Sequence, residues 1–217
     1  MSEQPGNRTA SIHARLANEA KKSGKPFSEV LQYYGMERFL CRLFQTRYSD
    51  HFILKGGLIF YSWGIPLRRP TRDIDLLSLL ENQEEIITQV IANSISIPVP
   101  EDGMTFDLAT LVVEATQVDV DPKGIRANFL GYLGRARIPI QIDFGFSDEI
   151  TSEAVEKSYP TLLQGMSGLQ VKGYPVESVV AEKFHAMERY AEIPSRWKDY
   201  YDVWLVSENF KLDDQSM

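Results

Sequence analysis

A chain of 217 residues with 43% hydrophobic side chains can bury a substantial core without disulfide bonds or a structural metal. Its formal net charge of -7 argues against a protein that coats nucleic acid through bulk electrostatics, while leaving room for a local basic patch. The chain starts without the apolar core of a signal peptide, its longest apolar stretch is too short to span a bilayer, and it has a single cysteine. We therefore expect a cytoplasmic protein with no membrane partner.

The first third of the chain is predicted to hold two helices, a glycine turn and a short strand. Apolar residues recur at helical spacing over 11–22 and 28–48. An apolar strand over 52–54 then runs into Lys55-Gly56-Gly57, after which a short buried helix is expected over 58–63. A basic turn leads into Asp73-Ile74-Asp75-Leu76, which alternates polar and apolar as a strand does.

The rest of the chain is predicted to form an amphipathic helix, a strand meander and further helices. The helix is expected over 81–92 and the strands over 111–120, 125–133 and 137–146, separated by turns at 121–124 and near Gly134. After Asp148 the chain is predicted to turn helical, most clearly over 176–190 and over 195–206, where Ser195 is a candidate cap. This order favours an α+β fold over a doubly wound parallel sheet.

Three aspartates are candidates for one metal site. Asp73 and Asp75 lie two apart on a predicted strand, so both carboxylates project from the same face. Asp143 occupies the polar face of the strand 138–146, whose even positions are apolar. Carboxylates brought together repel one another unless a divalent cation neutralises them, and magnesium suits such oxygen ligands. Sites for phosphoryl or nucleotidyl transfer are built in this way, although isolated Asp residues also occur at strand edges and in turns.

A glycine pair and a lysine are the next candidates. Lys55-Gly56-Gly57 follows an apolar strand and opens a helix, a setting in which backbone N–H groups receive phosphate oxygens, although a helix C-cap or a tight turn explains a glycine pair more often. Lys183 lies in the middle of the apolar face of the helix 176–190, with Glu182 among the residues expected on the solvated side. Because a buried ammonium needs an anion, we predict a functional role for Lys183.

Further charged residues are placed by helical spacing and by neighbourhood. Arg196, Lys198, Asp199 and Asp202 form a polar cluster on an otherwise apolar helix, which is either part of a site or an internal salt-bridge network. Two groups of arginines could contact a polyanion. The first group, Arg38, Arg42 and Arg47, is interpreted as a solvated helix face. The second group, Arg68, Arg69 and Arg72, is interpreted as facing the substrate.

Four motifs in this order resemble the AbiEii family of nucleotidyltransferase toxins. They are Phe-Ile-Leu-Lys-Gly-Gly at 52–57, Arg-Pro-Thr-Arg-Asp-Ile-Asp-Leu at 69–76, Val-Ala-Glu-Lys-Phe-His-Ala-Met at 180–187 and Arg-Trp-Lys-Asp-Tyr-Tyr-Asp at 196–202, with Gln-Ile-Asp-Phe-Gly at 141–145 in addition. The family is similar to the DNA polymerase β nucleotidyltransferase superfamily. The resemblance implies a mixed sheet flanked by helices, with amino-terminal helices over 1–50, a nucleotidyltransferase core over 51–150 and a helical part over 151–217 that completes the site.

The resemblance also implies roles for single residues. Asp73, Asp75 and Asp143 would hold magnesium, and Lys183 and Asp199 would complete the catalytic set. The nucleoside triphosphate would be bound by five further residues, namely Lys55, Gly56, Gly57, Arg72 and Lys198. The chain departs from the superfamily at Gly57, where a serine is usual, so a hydroxyl expected to touch phosphate is missing from the turn.

The activity implied is transfer of a nucleoside monophosphate from a triphosphate to RNA, first of all to the 3′ end of tRNA, by a toxin paired with an antitoxin. Such systems act in phage defence by abortive infection. Transfer to a protein or a small molecule would use the same catalytic residues and a different acceptor pocket. A non-catalytic relative that only binds its antitoxin is the third reading, and it predicts the loss of at least one site acid.

Overall fold

The computed structural model describes residues 5–65, 69–116, 124–146, 154–189 and 197–210. Six helices lie in these ranges. Their bounds are α1 Pro5–Ser23, α2 Phe27–Leu43, α3 Ile59–Ser62, α4 Glu84–Ile95, α5 Val176–Arg189 and α6 Trp197–Asn209. Short 3-10 turns lie at Ser49–His51, Gly56–Leu58 and Pro100–Asp102.

The described strands form one seven-stranded mixed sheet in the order β3-β4-β5-β2-β1-β7-β6. Their bounds are β1 Phe52–Lys55, β2 Ile74–Ser78, β3 Met104–Ala115, β4 Ile125–Leu133, β5 Ala136–Phe146, β6 Val155–Tyr159 and β7 Leu169–Gly173. The pairs β2–β5 and β1–β7 are parallel, and the other neighbours are antiparallel. The predicted α+β class, a mixed sheet flanked by helices, is confirmed.

Strand alternation divides the sheet into a core face and an open face near its centre. Ile142 and Phe144 of β5 are buried, as are Ile74 and Leu76 of the neighbouring β2. Helix α2 packs against this face, with α4 beside it. Because side chains alternate along a strand, the residues between these apolar positions project to the opposite, open face. That face carries the candidate aspartate Asp143.

The prediction of a purely helical segment after Asp148 is wrong. Residues 155–159 and 169–173 form β6 and β7, and β7 lies beside β1, so this part of the chain extends the sheet before α5 begins. The other predicted elements are present with shifted ends, and β3 begins at Met104 instead of 111. The predicted turn at 121–124 lies outside the described residues except for Gly124, and Arg68, Tyr190, Ser195 and Arg196 lie outside them altogether.

The interpretation of Arg38 and Arg42 as a solvated helix face is also wrong. Their relative exposures are 0% and 3%, because α2 is covered on nearly every side from Val30 to Leu43. Arg42 donates to both oxygens of the buried Asp102, at 2.6 and 3.2 Å, and Arg38 lies 2.6 Å from the Glu37 carboxylate. Burial raises the pKa of Glu37 to about 7 despite that partner. These arginines therefore belong to the polar interior, whereas Arg47 is exposed as expected.

No helix among the described residues is both long enough and apolar enough to cross a membrane.

Candidate active site

The glycine turn after β1 packs directly against a carboxylate. Lys55 is the ladder partner of Asp75 across the antiparallel β1–β2 pair, so Gly56 begins beside that aspartate. Gly56 has a φ of 64°, and a Cβ at this position would lie 1.8 Å from Asp75 Oδ2. The backbone angle and the close approach each require glycine here. The turn thus places bare main chain against the acidic centre of the open face.

The neighbouring Gly57 is also confined, by a side chain from the segment before β2. A Cβ at Gly57 would lie 2.6 Å from Thr71 Oγ1 and 3.0 Å from its methyl carbon. The Thr71 hydroxyl is buried and has no hydrogen-bond partner among the described residues. A hydroxyl from Thr71 therefore occupies the space in which a serine side chain at position 57 would lie.

The three predicted aspartates converge at the centre of the sheet. Asp75 and Asp143 are register partners in the parallel β2–β5 pair and share the open face, and Asp73 lies just before β2. One carboxylate oxygen from each residue lies within 4.8 Å of the others. This spacing brings together, from two strands, the oxygen ligands that a divalent cation requires.

Unbalanced negative charge marks this cluster. Burial, and then repulsion from Asp73, raise the pKa of Asp75 to about 7. Neither Asp73 nor Asp75 forms an ion pair with a residue that the structure describes. A hard divalent cation would relieve the repulsion, so the donor set and its spacing fit one.

Asp143 differs from the other two because a cation of the protein already contacts it. Arg126 of β4 donates two hydrogen bonds to its carboxylate, at 2.6 and 3.0 Å, and Gln141 donates a third at 3.1 Å. Both Arg126 and Gln141 lie on the open face, with Arg126 directly across the β4–β5 ladder from Asp143. Arg126 would have to share this carboxylate with a bound metal ion.

Lys183 is buried among acids, as a lysine in the middle of an apolar helix face requires. Its ammonium lies 3.2 Å from Asp199 Oδ1 and 2.6 Å from Asp202 Oδ2, and its side chain is 12% exposed. Asp202 is fully buried and also accepts two hydrogen bonds from Arg69, at 2.8 and 2.6 Å. These contacts join α5, α6 and the segment before β2 into one charged network.

Lys55 extends this network on the β1 side. It forms an ion pair with Glu182, which is exposed on α5 as predicted but, through this contact, also belongs to the site. Burial lowers the pKa of Lys55, but the pairing with Glu182 outweighs it and leaves that pKa above its usual range. The ion pair of Lys55 and Glu182 thus lies beside the glycine turn.

A cleft of about 240 Å³, here called the β1–α5 cleft, gathers most of the predicted site. Among the residues that the structure describes, its charged lining consists of four cationic and four acidic side chains. These are Lys55, Arg69, Lys183 and Lys198, and Asp73, Asp75, Glu182 and Asp199, with Gly56 and Gly57 between them. Arg72 does not line this cleft; it is exposed and lines another one, on the α2 side.

Three residues at the site were not predicted from the sequence as functional candidates. Arg126 and Gln141 could have been found from the β4–β5 hairpin, because pairing Leu133 with Ala136 across the turn places Arg126 opposite Asp143. Thr71 carries no comparable signal, since its contact with Gly57 is seen only in the folded structure. Asp202 belongs to the polar cluster predicted on the last helix, but its partners Lys183 and Arg69 were not predicted.

Residues 38–217 match the family model described as nucleotidyl transferase AbiEii toxin of the type IV toxin–antitoxin systems. The chain belongs to this family. It is thus a nucleotidyltransferase of a toxin family whose members work with an antitoxin partner, and the resemblance of its four motifs is confirmed. The AbiEii match includes the glycine turn, the three aspartates, Lys183 and Asp199.

Two solved structures are similar to this AbiEii chain, and the first of them supports its fold. Helicobacter pylori JHP933 is 15% identical with a TM-score of 0.50, and the alignment covers 83% of this chain and 68% of that one. A candidate nucleotidyltransferase, also from H. pylori, is 16% identical with a TM-score of 0.41, over 70% of this chain and 56% of its own. No curated protein matches the sequence.

We expect Gly57→Ser and Thr71→Ala to compensate each other in this AbiEii protein. Gly57→Ser alone should lower the unfolding temperature and the transfer rate, because its Cβ would overlap Thr71 at a cost of about 1–3 kcal/mol. Thr71→Ala removes the overlapping atoms, so the double variant should regain both, with a coupling energy of about 1 kcal/mol or more. Thermal unfolding and initial rates of all four proteins measure that coupling. Additive effects in the double variant would contradict the contact.

Proposed function

We propose that the protein is a magnesium-dependent nucleotidyltransferase toxin that transfers a nucleoside monophosphate from a nucleoside triphosphate to RNA, with the 3′ end of tRNA as the first acceptor. One observation carries the proposal: carboxylate oxygens of Asp73, Asp75 and Asp143 lie within 4.8 Å of one another beside a cleft lined by cationic side chains. Metal-binding carboxylates next to phosphate-binding cations are what this transfer needs.

The residues of the β1–α5 cleft, and Thr71 which packs against Gly57 from the neighbouring segment, are assigned complementary roles. The Gly56–Gly57 turn lets the main chain approach the triphosphate without a Cβ in the way, and the Thr71 hydroxyl substitutes for the serine that the turn lacks. Lys55, Lys183 and Lys198 neutralise phosphate charge. Because four acids lie among the described cations of this cleft, an additional cation is proposed to neutralise the charge of the triphosphate.

Asp73 and Asp75, joined by Asp143, would hold magnesium. Bound there, magnesium supplies charge neutralisation for the α-phosphate and for the leaving pyrophosphate. The acceptor hydroxyl forms a bond to the α-phosphorus, the bond from that phosphorus to the bridging oxygen of the pyrophosphate breaks, and the hydroxyl proton passes to solvent. Lys183, held between Asp199 and Asp202, is fixed in position for the departing phosphates.

RNA is proposed as the acceptor because the motif resemblance implies it and because a single-stranded 3′ end can enter a cleft that a folded protein surface cannot. The cytoplasm, where nucleoside triphosphates and tRNA are available, is the proposed compartment. The partner is an antitoxin, as the family implies.

The test is a transfer assay with labelled nucleotides. The protein is incubated with magnesium, total tRNA and each α-phosphate-labelled nucleoside triphosphate in turn, beside γ-labelled nucleotide, a chelator and Asp75→Asn. We expect RNA to be labelled from the α-phosphate alone, and only with magnesium and Asp75. Label from γ-labelled nucleotide would instead indicate phosphoryl transfer.

Label on protein or on a small molecule, with none on RNA, would contradict RNA as the acceptor and would leave nucleotidyl transfer as the reaction. No label on any acceptor from a folded, magnesium-loaded protein would overturn the enzymatic proposal. A non-catalytic protein that binds its antitoxin would then be the better reading.

A further inference from the structure

A second cleft adjoins the aspartates on the side away from the glycine turn. It encloses about 660 Å³ between the start of α2, the segment 70–72 and the open face of β4 and β5, and is here called the α2–β5 cleft. The segment before β2 separates the two clefts, because Arg69 and Asp73 line the β1–α5 cleft whereas Pro70, Thr71 and Arg72 line this one. Gln141 links it to the catalytic cluster by donating to Asp143.

The lining of the α2–β5 cleft differs in chemistry from that of the β1–α5 cleft. Carboxamides of Gln32, Asn128 and Gln141 line it, with the rings of Pro70 and Pro139 and the exposed Arg72. Glu29, the one acid among the described residues that line it, is paired with Lys25 at 3.0 Å. Carboxamides, which both donate and accept hydrogen bonds, match the edges of nucleobases, and an exposed arginine matches a phosphate.

Asn128 is the least committed of these carboxamides. It is the ladder partner of Gln141 in the β4–β5 pair and lies on the open face of the sheet. Gln32 already donates to the main-chain carbonyl of Pro139, at 2.6 Å, and Gln141 donates to Asp143. The Asn128 side chain makes no hydrogen bond to any residue within the described ranges. A half-buried carboxamide with no hydrogen-bond partner among the described residues is suited to hydrogen bonding with a bound ligand.

The order of the strands places the two clefts on opposite sides of the reacting centre. In the sequence β4-β5-β2-β1, the glycine turn follows β1, Asp75 lies on β2, and Asn128 and Gln141 lie on β4 and β5. In an in-line displacement the attacking oxygen and the leaving pyrophosphate lie on opposite sides of the phosphorus. If the triphosphate tail lies in the β1–α5 cleft, the acceptor hydroxyl approaches from the side of the α2–β5 cleft.

We infer that the α2–β5 cleft is the acceptor subsite and binds the 3′-terminal nucleoside of the RNA, an inference that rests on the proposed function. Asn128 reads the edge of the terminal base, and the proline rings cover its flat apolar surface. Arg72 contacts a phosphate of the RNA strand, instead of the triphosphate to which the motif resemblance assigns it. The cleft thereby selects which RNA end is presented to the α-phosphorus.

Binding is the first test, because it is independent of turnover. A short 5′-fluorescein RNA with a free 3′ hydroxyl is titrated with the Asp75→Asn protein, with and without Asn128→Ala or Arg72→Ala. We expect either change to weaken binding by about fivefold or more, as loss of a specific base or phosphate contact does. The matched control is Arg137→Ala, which removes an exposed cation of strand β5 that does not line the cleft. It should leave the dissociation constant for RNA within about twofold of the unsubstituted value.

The probe itself can be altered to separate a base contact from general attraction to RNA. When the last nucleotide is abasic, the effect of Asn128→Ala should disappear, whereas that of Arg72→Ala should remain. Binding of a fluorescent nucleoside triphosphate should be unchanged by both substitutions. An Asn128→Ala effect that persists with the abasic probe, equal binding by all variants, or weakened triphosphate binding would each overturn the inference.

Kinetics with otherwise unmodified protein distinguish this inference from the proposed function. In the transfer assay, both substitutions should raise the KM for RNA with little change in the KM for nucleoside triphosphate. If the variants transfer nucleotide to RNA with an unchanged KM for RNA, the α2–β5 cleft is not the acceptor subsite, whereas the proposed function still holds. RNA binding that depends on Asn128, in a protein that transfers nothing to RNA, would identify the α2–β5 cleft as an RNA-binding site and overturn both the transfer to RNA and the acceptor role of the cleft.

Discussion

Asp75→Asn is expected to abolish nucleotidyl transfer while raising the thermal stability of the protein. The carboxylate of Asp75 lies within 4.8 Å of those of Asp73 and Asp143 and directly on the glycine turn. An amide keeps the shape and removes the charge, so we expect the transfer rate to fall by on the order of 10³-fold for want of a metal ligand. The same change removes repulsion between the carboxylates, so the metal-free variant should unfold at a higher temperature.

The response of the unfolding temperature to magnesium should also distinguish the two proteins. A ligand that binds only the folded state stabilises it, so magnesium should raise the unfolding temperature of the wild-type protein and have little effect on Asp75→Asn. Each 1 kcal/mol corresponds to about 2–4 °C for a chain of this size. Differential scanning calorimetry with chelator and with magnesium measures both effects. An active variant, or one that magnesium stabilises as much as the wild type, would refute the assignment of Asp75 as a ligand.

A matched carboxylate outside the site serves as the control for this comparison. Glu156 is exposed on the edge strand β6. Glu156→Gln removes one negative charge without touching the aspartate cluster, so transfer and the response to magnesium should both remain within about twofold of the wild type. A similar loss of activity in Glu156→Gln would show that net charge, and not the local site, accounts for the effect of Asp75→Asn.

The convergence of the aspartates was predictable because it follows from strand alternation. Asp73 and Asp75 share a face in any strand that contains both, and Asp143 lies among alternating apolar residues. Strand alternation does not predict which strands pair when they are far apart in the sequence. The parallel pairing of β2 with β5 places Asp75 beside Asp143, and only that register shows that the three residues form one cluster.

The two missed strands differ in the signals that they carry. In β6 only Tyr159 is buried, so an edge strand that is exposed at most of its positions shows no clear period of two. In β7 the buried Leu169, Val171 and Gly173 do alternate, but the strand has five residues and is easily overlooked. Short strands at or next to a sheet edge depend on their neighbours more than on their own sequence, so the sequence after Asp148 does not distinguish them from a helical segment.

Buried charges were predictable only where an apolar helix face surrounds them. Lys183 stands among apolar positions of α5, so its need for an anion could be read from the spacing, although its partners on α6 could not be identified with certainty. Arg38 and Arg42 could not be recognised, because α2 is covered by segments as distant as residues 102 and 167. Helical periodicity describes one amphipathic face and fails for a helix that is enclosed on all sides.

Lys183→Gln is expected to reduce nucleotidyl transfer by about 10²–10³-fold, the range found when a charge-stabilising group is removed from an active site. The substitution also takes an ammonium from between Asp199 and Asp202, so a loss of stability must be distinguished from a loss of catalysis. Asp202 retains both hydrogen bonds from Arg69, which limits the destabilisation. We therefore expect a modest fall in unfolding temperature and a much larger fall in rate.

The double variant Lys183→Gln, Asp199→Asn separates these two effects. It removes one charge of each sign from the same contact, so it should recover much of the unfolding temperature lost by Lys183→Gln. If Lys183 acts on the phosphates, the transfer rate of the double variant stays as low as that of the single one, because no ammonium faces the β1–α5 cleft at that position. Recovery of rate together with stability would instead mean that Lys183 serves only to hold α5 against α6, and that the phosphate charge is met by Lys55 and Lys198.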